Sequence, residues 1–234
     1  MRQRTFPLML FAAGFGTRMG ALTQTRPKPL IPVAGRPLLD RALDLAGEAG
    51  AAPVVVNVHY LGAQIMDHLA PRAEVRISDE SAEILETGGG LRTALPLLGQ
   101  GPVMTLNPDV VWRGPNPLSL LAEAWEPERM DALLLVKDRA GLPGRRGNAD
   151  FTLADGHISR ATGEEGVVYL GAQILRPGGL ADIPQRVFSL NLLWDRMIAA
   201  GRAFALIYPG DWCDVGSPEG LAEAETMLAP GPTA

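Results

Sequence analysis

The fold of this chain is decided by the stretch Leu8-Met9-Leu10-Phe11-Ala12-Ala13-Gly14-Phe15-Gly16-Thr17-Arg18-Met19. A short apolar run breaks into a loop with two glycines and an arginine, which is typical of a parallel strand whose loop offers backbone N–H groups to a phosphate. Glycine removes the side chain where a ligand approaches the backbone, and a guanidinium matches phosphate oxygens. The stretch predicts a nucleotide site, with a tight strand-to-helix turn carrying a surface arginine as the alternative.

The spacing of this loop differs from two common phosphate-binding motifs. The P-loop pattern needs four residues between its glycines and then Gly-Lys-Ser/Thr, and the dinucleotide pattern needs a third glycine. A lysine does follow ten residues after Arg18, in Arg26-Pro27-Lys28-Pro29-Leu30. Lys28 and Lys137 are the only lysines among the 21 basic residues, so a compact ammonium held between two prolines indicates a specific need for a point charge.

Composition limits the class of protein. At 234 residues and 47% hydrophobic content, the chain can form one sizeable core. The net charge is −5 and the basic residues are scattered, which argues against nucleic acid as the partner. Cys213 is the single cysteine, which excludes an intramolecular disulfide and indicates a reducing cytoplasm.

The sequence also indicates no membrane partner. The first apolar run, Leu8 to Ala13, is short for a signal peptide, and no segment approaches the roughly 20 apolar residues that span a bilayer. No heptad pattern or exposed apolar stripe decides the oligomeric state, so monomer and dimer both stay open.

Apolar runs alternate with amphipathic ones, and this alternation is typical of a doubly wound α/β sheet. The predicted strands of the first half are Leu8–Ala12, Val54–Val58, Val75–Ser78, Val103–Asn107 and Leu133–Val136. The predicted helices between them are Leu38–Ala49, Leu61–Leu69, Gly90–Leu97 and Leu118–Trp125.

The organisation changes near residue 140, where residues 139–148 form a loop by composition. The predicted elements after it are a hairpin of Phe151–Leu153 and His157–Arg160, strands at Tyr169–Leu175 and Phe204–Tyr208, and helices at Leu190–Ala200 and from Ser217. We therefore expect one domain over residues 1–228, divided into a first half (1–138) and a second half (139–228), and a flexible tail (229–234).

Three further motifs could carry chemistry. Glu86-Thr87-Gly88-Gly89-Gly90 precedes a predicted helix and would offer bare amides to a ligand, or it is a flexible loop. Asn107-Pro108-Asp109 ends a predicted core strand, and Asp214 follows another strand. Either carboxylate alone would suit a turn or cap, but two at strand ends would suit Mg²⁺ shared with substrate phosphates.

Together these motifs resemble the sugar-1-phosphate nucleotidyltransferases, and the resemblance covers nearly the whole chain. It rests on five ordered motifs: residues 12–19, residues 26–33, Glu86-Thr87-Gly88-Gly89-Gly90, Asn107-Pro108-Asp109 and Trp212-Cys213-Asp214-Val215-Gly216-Ser217. The short length, the Glu-Thr-Gly-Gly-Gly form and the Asp150-Phe151 pair are most similar to the N-acetylmuramate α-1-phosphate uridylyltransferases. The resemblance implies a Rossmann-like doubly wound mixed sheet flanked by helices, with a small sugar-side β subdomain.

The resemblance also implies a reaction and its residues. A sugar-1-phosphate oxygen attacks the α-phosphorus of a nucleoside triphosphate, UTP by the nearest resemblance, and pyrophosphate leaves. The implied catalytic residues are Arg18, Lys28, Asp109 and Asp214, of which Asp109 and Asp214 hold Mg²⁺. The implied nucleotide-binding residues are Ala12, Ala13, Gly14, Gly16, Thr17, Thr87, Gly88 and Asn107. Asp150 and Gly171 would face the sugar. The resemblance thus implies that residues 1–138 are the nucleotide-binding half and residues 139–228 the sugar-binding and C-terminal half.

Two positions depart from the family pattern. Gly20-Ala21 stands where the family usually has a residue followed by proline, and Pro108 stands where it usually has a small residue. Both departures bear on how the loop and Asp109 are held. Other nucleotides or substrates, such as mannose-1-phosphate, glucose-1-phosphate or phosphocholine, stay open. A non-catalytic nucleotide-sugar sensor is a further alternative, but it would be expected to lose Lys28, Asp109 or Asp214.

Overall fold

The computed structural model describes residues 4–142 and 148–229 and contains a nine-stranded mixed sheet. The strands, numbered in chain order, are β1 (Leu8–Phe11), β2 (Pro32–Val33), β3 (Arg36–Pro37), β4 (Val54–Val58), β5 (Val75–Asp79), β6 (Val103–Leu106), β7 (Val110–Arg113), β8 (Ala132–Asp138), β9 (Phe151–Ala154), β10 (His157–Arg160), β11 (Val167–Leu175), β12 (Ala203–Ile207) and β13 (Asp211–Asp214). The helices are α1 (Leu38–Glu48), α2 (Gly62–Leu69), α3 (Glu86–Leu98), α4 (Pro117–Ala124), α5 (Asn191–Ala199) and α6 (Pro218–Leu228).

The order of the large sheet is β5-β4-β1-β6-β11-β8-β12-β10-β9. Strands β5, β4, β1 and β6 are parallel, and β11 pairs antiparallel with both β6 and β8. The loops that follow β1, β4, β5 and β6 therefore leave the same edge of the sheet, and in open α/β sheets this edge binds ligands.

Helices cover both faces of the sheet, as the alternating pattern predicts. One core contains apolar residues of α1, α2 and α4, including Leu39, Ile65 and Leu118. The core on the other face contains residues of α3 and α5, including Leu91 and Trp194. Because strand β8 is buried from Ala132 to Val136, that part of its sequence is a continuous apolar run.

A smaller third core lies under the loop that follows β1. It joins Met19 and Ile31 to Val111 of β7, Val215 after β13 and Ala224 of α6. Strands β7 and β13 pair antiparallel in a sheet of their own. Ser217 caps α6 by accepting a hydrogen bond from the Gly220 amide, which confirms the predicted start of the last helix.

Two regions differ from the sequence prediction. The predicted hairpin forms, and because β10 pairs with β12 and β9 with β11, it is part of the large sheet and not a separate unit. Helix α3 begins at Glu86, whereas the sequence predicts Gly90. Within the predicted 139–148 loop, residues 143–147 lie outside the described residues, as do 230–234 of the predicted tail. Among the described helices, none has the length and apolar character needed to cross a bilayer.

Candidate active site

The loop after β1 turns at Gly16, whose φ of 65° is in the left-handed region that favours glycine. A 3₁₀ segment follows at Thr17–Thr23. A Cβ atom at position 16 would lie 3.0 Å from Lys28 Cβ and 3.0 Å from Thr23 Cγ2. Glycine at this position therefore lets the Lys28 side chain pass directly beside the loop.

The departure from the family pattern at Gly20 has a structural explanation. Gly20 has φ 58° and ψ −125°, a conformation that residues with a Cβ avoid. The Thr23 hydroxyl is within hydrogen-bond distance of the Gly16 and Gly20 carbonyl oxygens, at 3.0 and 3.3 Å. The Tyr60 hydroxyl in turn donates to the Thr23 carbonyl at 2.9 Å. Thr23 and Tyr60 thus brace the loop in this chain.

Lys28 and Asp109 form an ion pair inside the site. Lys28 Nζ lies 2.6 Å from Asp109 Oδ2, and their side chains are 10% and 29% exposed. Lys28 begins a 3₁₀ segment, and Asp109 follows Pro108 between β6 and β7. The proline lines the same cavity and does not keep the carboxylate from the ammonium. Because an ammonium carries three donors, Lys28 has two N–H groups beyond the one that faces Asp109.

A cavity of about 190 Å³ brings most of the predicted triphosphate residues together. Its lining includes Ala12, Gly14, Gly16, Thr17, Arg18, Lys28 and Asp109. Nothing lies within 4 Å of a Cβ built at Gly14, so that glycine leaves its backbone open to the cavity. Ala13 is buried, and the Ala12 amide donates to the side chain of Asn57 at 2.7 Å.

Asp214 reaches this site through the small sheet. It pairs with Val110 across β7 and β13, and the Val215 amide donates to the Asp109 carbonyl at 2.9 Å. A Cβ at Gly216 would lie 3.0 Å from both Arg18 Nη atoms and 3.0 Å from Asp214 Oδ1. Glycine at 216 therefore allows the guanidinium and the carboxylate to share one small space. Arg18 and Gly216 also line a neighbouring cavity of about 1500 Å³, which Asp214 and Trp212 border.

Thr87 and Gly88 lie at the start of α3 and already have partners in the chain. The Gly88 and Gly89 amides both donate to the Phe188 carbonyl, at 2.9 and 3.1 Å. The Thr87 hydroxyl accepts from the Leu190 amide at 3.0 Å. The amides of Gly88 and Gly89 are therefore not bare, contrary to the sequence expectation. A Cβ at Gly88 would overlap the Phe188 ring, so this glycine permits packing between protein segments.

Asn107 and Gly171, both predicted site residues, are direct neighbours. Asp150 lies along the same edge of β11 as Asn107. The Asn107 amide donates to the Gly171 carbonyl at 2.8 Å. Gly171 has φ 89° and lies where the β11–β8 register shifts between Tyr169 and Gln173. A Cβ there would lie 3.0 Å from Asn107 Cβ. The Asp150 carboxylate accepts from the Tyr169 amide at 2.9 Å, so it shapes the backbone just before the bulge.

Comparison with known proteins assigns this arrangement to a family. Residues 8–173 match the MobA-like NTP transferase domain. This chain belongs to that family. It is 41% identical to the N-acetylmuramate alpha-1-phosphate uridylyltransferase of Caulobacter vibrioides, and the match covers 94% of this chain and 96% of that protein. The enzyme of the same name from Neisseria meningitidis serogroup B is 34% identical, over 94% of this chain and 96% of that protein.

The fold of this NTP transferase also matches solved structures. A putative glucose-1-phosphate thymidylyltransferase from Bacillus anthracis superposes with a TM-score of 0.81 over 99% of this chain and 98% of that one, at 13% identity. At that identity the match concerns the fold, and it agrees with the mixed sheet flanked by helices. The predicted fold class and the resemblance to sugar-1-phosphate nucleotidyltransferases are both confirmed.

The donor set of this NTP transferase fits a hard cation. Among residues 4–142 and 148–229, no three His, Cys, Asp or Glu side chains gather as an all-protein metal site. Asp109 and Asp214 instead supply two carboxylates from neighbouring positions of the β7–β13 sheet. Mg²⁺ is usually bound by one or two carboxylates, with water and substrate phosphates completing its octahedron. The two aspartates meet that number of carboxylates.

Sequence reasoning missed a buried polar network beneath the site. Asn57 and Glu80 are each 3% exposed, and Asn57 Nδ2 donates to Glu80 Oε1 at 2.7 Å. Burial raises the pKa of the Glu80 carboxyl, and its hydrogen bonds from Asn57 and Leu85 oppose that rise. A signal was present in the sequence, because Asn57 interrupts the apolar run Val54-Val55-Val56-Asn57-Val58. A polar side chain inside a buried strand needs a partner.

Proposed function

We propose that this chain transfers the uridylyl group of UTP to N-acetylmuramate 1-phosphate, with Mg²⁺, and releases pyrophosphate. The observation that carries the chemistry is the cavity in which Arg18, Lys28 and Asp109 meet. The 41% identity to the Caulobacter enzyme over 94% of this chain supports the choice of substrates. UTP and sugar phosphates are cytoplasmic metabolites, so we propose the cytoplasm as the compartment and peptidoglycan recycling as the context.

The reaction requires charge neutralisation and alignment more than proton transfer. A phosphate monoester has a second pKa of about 6 and is mostly dianionic at neutral pH, so the attacking oxygen needs no general base. That oxygen forms a bond to the α-phosphorus, and the bond from this phosphorus to the oxygen that bridges to the β-phosphorus breaks. The electron pair leaves with pyrophosphate, so the main task of the protein is to hold the reacting groups in line.

Each charged residue has a role in this scheme. Arg18 holds the departing pyrophosphate, because its planar guanidinium can donate two parallel hydrogen bonds. Lys28 directs its remaining donors at the α-phosphate and the sugar phosphate, and Asp109 keeps the ammonium in position. Asp109 and Asp214 hold Mg²⁺, which supplies positive charge to the phosphate oxygens when it is bound.

The backbone residues divide between the two substrates. Ala12, Gly14, Gly16 and Thr17 line the cavity, and together with the buried Ala13 they follow the triphosphate. Thr87, Gly88 and Asn107 border the base and ribose. Because the Gly88 amide is occupied by the Phe188 carbonyl and a Cβ at this position would overlap the Phe188 ring, we propose that Gly88 acts indirectly, by letting the two segments pack closely behind this border. Asp150 and Gly171 border the sugar through the bulge of β11.

The test is a substrate panel. Four nucleoside triphosphates are combined with N-acetylmuramate 1-phosphate, N-acetylglucosamine 1-phosphate, glucose-1-phosphate, mannose-1-phosphate and phosphocholine, and pyrophosphate release is measured with Mg²⁺. We expect the highest kcat/KM for UTP with N-acetylmuramate 1-phosphate. A higher value for another pair would overturn the substrate assignment. Binding of a nucleotide-sugar without pyrophosphate release from any pair would support a sensor instead.

A further inference from the structure

A continuous chain of hydrogen bonds links the two flanks of the nucleotide site beneath its surface. The Ala12 amide donates to Asn57 Oδ1 at 2.7 Å, and Asn57 Nδ2 donates to Glu80 Oε1 at 2.7 Å. The other carboxylate oxygen, Oε2, accepts from the Leu85 amide at 3.2 Å. Ala12 begins the triphosphate loop and Leu85 immediately precedes α3, so one buried carboxylate connects both segments.

We propose that Glu80 is a positioning residue for the nucleoside triphosphate. Through Asn57 it fixes the first residue of the triphosphate loop, and through Leu85 it fixes the start of α3, where Thr87 and Gly88 lie. This inference rests on the proposed function, because it assigns Glu80 to the binding of the nucleotide used in that reaction. Glu80 itself is buried and acts through its neighbours.

The direction of the hydrogen bonds explains why a carboxylate is needed. Two donors converge on Glu80, the Asn57 amide group and the Leu85 N–H. An ionised carboxylate has two acceptor oxygens and no donor, so it can end both chains. A glutamine would keep one acceptor and set an NH₂ group against the other donor. That mismatch would leave a buried polar group unsatisfied at one of the two ends.

The surrounding structure makes room for this network. A Cβ at Gly90 would lie 2.7 Å from Glu80 Oε1 and 3.1 Å from Asn57 Nδ2, so the helix has a glycine where the network passes. The carboxylate accepts from the Leu85 amide directly before α3, at the end of the helix dipole that stabilises negative charge. The Glu80 carbonyl also accepts from His59 Nδ1 at 2.7 Å, which ties in the loop after β4.

The polarity of the network provides a sharp test by exchange. Glu80→Gln should raise the KM for UTP about tenfold, while the KM for the sugar phosphate stays within about threefold of the wild-type value. Asn57→Asp should also impair UTP binding, because it sets two buried carboxylates against each other. The double variant N57D/E80Q restores all three hydrogen bonds with the polarity exchanged. The carboxylate at position 57 would accept from the Ala12 amide and from the side-chain NH₂ at position 80. The side-chain oxygen at position 80 would accept from the Leu85 amide. The double variant should return the KM for UTP to within about threefold of wild type.

A matched control separates nucleotide positioning from general stability. Asp40 bridges α1 and α2 by contacting His68 Nε2 at 2.9 Å and Arg72 Nη2 at 3.0 Å, and it is not part of either cavity lining. Asp40→Asn makes the same carboxylate-to-amide change, and it should lower the Tm without raising the KM for UTP. If Asp40→Asn and Glu80→Gln raise that KM equally, Glu80 has no special role.

The outcomes distinguish this inference from the proposed function. Equilibrium binding of Mg·UTP by calorimetry is measured beside turnover, with circular dichroism to verify folding. If the wild-type chain binds UTP and the folded Glu80→Gln variant binds it with the same dissociation constant, the inference is overturned while the proposed function stands. If Glu80→Gln does not fold, the double variant decides, and failure of N57D/E80Q to recover UTP binding would overturn the inference. A wild-type chain that binds UTP but releases no pyrophosphate would overturn the proposed function alone, and one that binds no nucleoside triphosphate would overturn both.

Discussion

Replacement of Lys28 by methionine tests the centre of the proposed site. Methionine keeps an unbranched side chain of similar length and removes the ammonium that lies 2.6 Å from Asp109. Exposed ion pairs contribute about 0–1 kcal/mol, and loss of one partner of a buried pair costs about 3–5 kcal/mol. Because the Asp109 side chain is 29% exposed and can be rehydrated, we expect a loss of about 2 kcal/mol. A domain with about 5–15 kcal/mol of stability stays folded after that loss.

The effect on turnover should be much larger. Loss of one charged donor to a reacting phosphate should lower kcat by at least 10²–10³-fold, or about 2.7–4 kcal/mol in the barrier. Stability is followed by urea denaturation and turnover by pyrophosphate release. The double variant K28M/D109N should recover most of the lost stability and none of the activity, because no unpaired carboxylate remains.

A control for Lys28→Met is available at the surface. Arg36 and Asp44 form an ion pair of the same 2.6 Å length, with side chains 49% and 38% exposed. Arg36→Met should change both stability and kcat little. A folded Lys28→Met variant whose kcat stays within tenfold of wild type would refute the assignment of Lys28.

Three further predictions concern the metal, the packing of α3 and the thiol. Asp214→Asn should lower kcat about 100-fold and raise the Mg²⁺ concentration needed for half-maximal turnover, measured by Mg²⁺ titration. Gly88→Ala should lower the free energy of unfolding by about 1–3 kcal/mol, measured in urea, because the added methyl overlaps the Phe188 ring. Burial raises the pKa of Cys213 to about 11. At pH 8 about one thiol in a thousand is therefore ionised, and alkylation by iodoacetamide, followed by mass spectrometry, should be slow until the pH approaches 11.

Each of these predictions has a contrasting result. Asp211→Asn, on the same strand as Asp214, should leave the Mg²⁺ requirement unchanged, and an equal shift in both variants would argue against a metal role. Gly47→Ala in α1 meets no atom within 4 Å and should stabilise the protein by about 0.5–1 kcal/mol. Equal effects of the two glycine replacements would contradict the packing argument. Rapid alkylation of Cys213 in the folded protein at pH 8 would show that the thiol is accessible and ionised.

The strands of the sheet could be predicted because burial on both faces leaves a continuous apolar run. Val54–Val58 has the predicted bounds, and Leu8–Phe11 and Val103–Leu106 each end one residue earlier than predicted. The short strands β7 and β13 were missed. They carry polar residues and form only by pairing with each other across a long separation in sequence, which local periodicity does not report.

The start of α3 shows a different limit of sequence reasoning. Three consecutive glycines disfavour a helix by intrinsic propensity, so the prediction began the helix at Gly90. In the structure, Gly88 and Gly89 donate their amides to the Phe188 carbonyl, and Glu86 begins the helix with φ 58°. A contact with a residue about one hundred positions away therefore overrides the local preference. No local pattern contains that partner.

The grouping of the charged candidate residues could be predicted in outline, because these residues occur in ordered motifs. Arg18, Lys28 and Asp109 meet in one cavity, and Asp214 joins them across the β7–β13 pair. The support beneath them was not predicted. Glu80 carries no motif, and its importance follows from two donors that converge on it only when β4, β5 and α3 have packed together.

The order of the strands has a consequence for how the chain can be divided. Strand β11, from the second half of the sequence, lies between β6 and β8 from the first half, and β12 covers the other edge of β8. A fragment that ends at Asp138 would therefore leave β6 and β8 with unpaired edges and without their shared neighbour. The two halves should act as complementing fragments, each of which needs the other to fold. If two proteins were fused to the two halves, refolding of this domain would therefore indicate that the fused proteins associate.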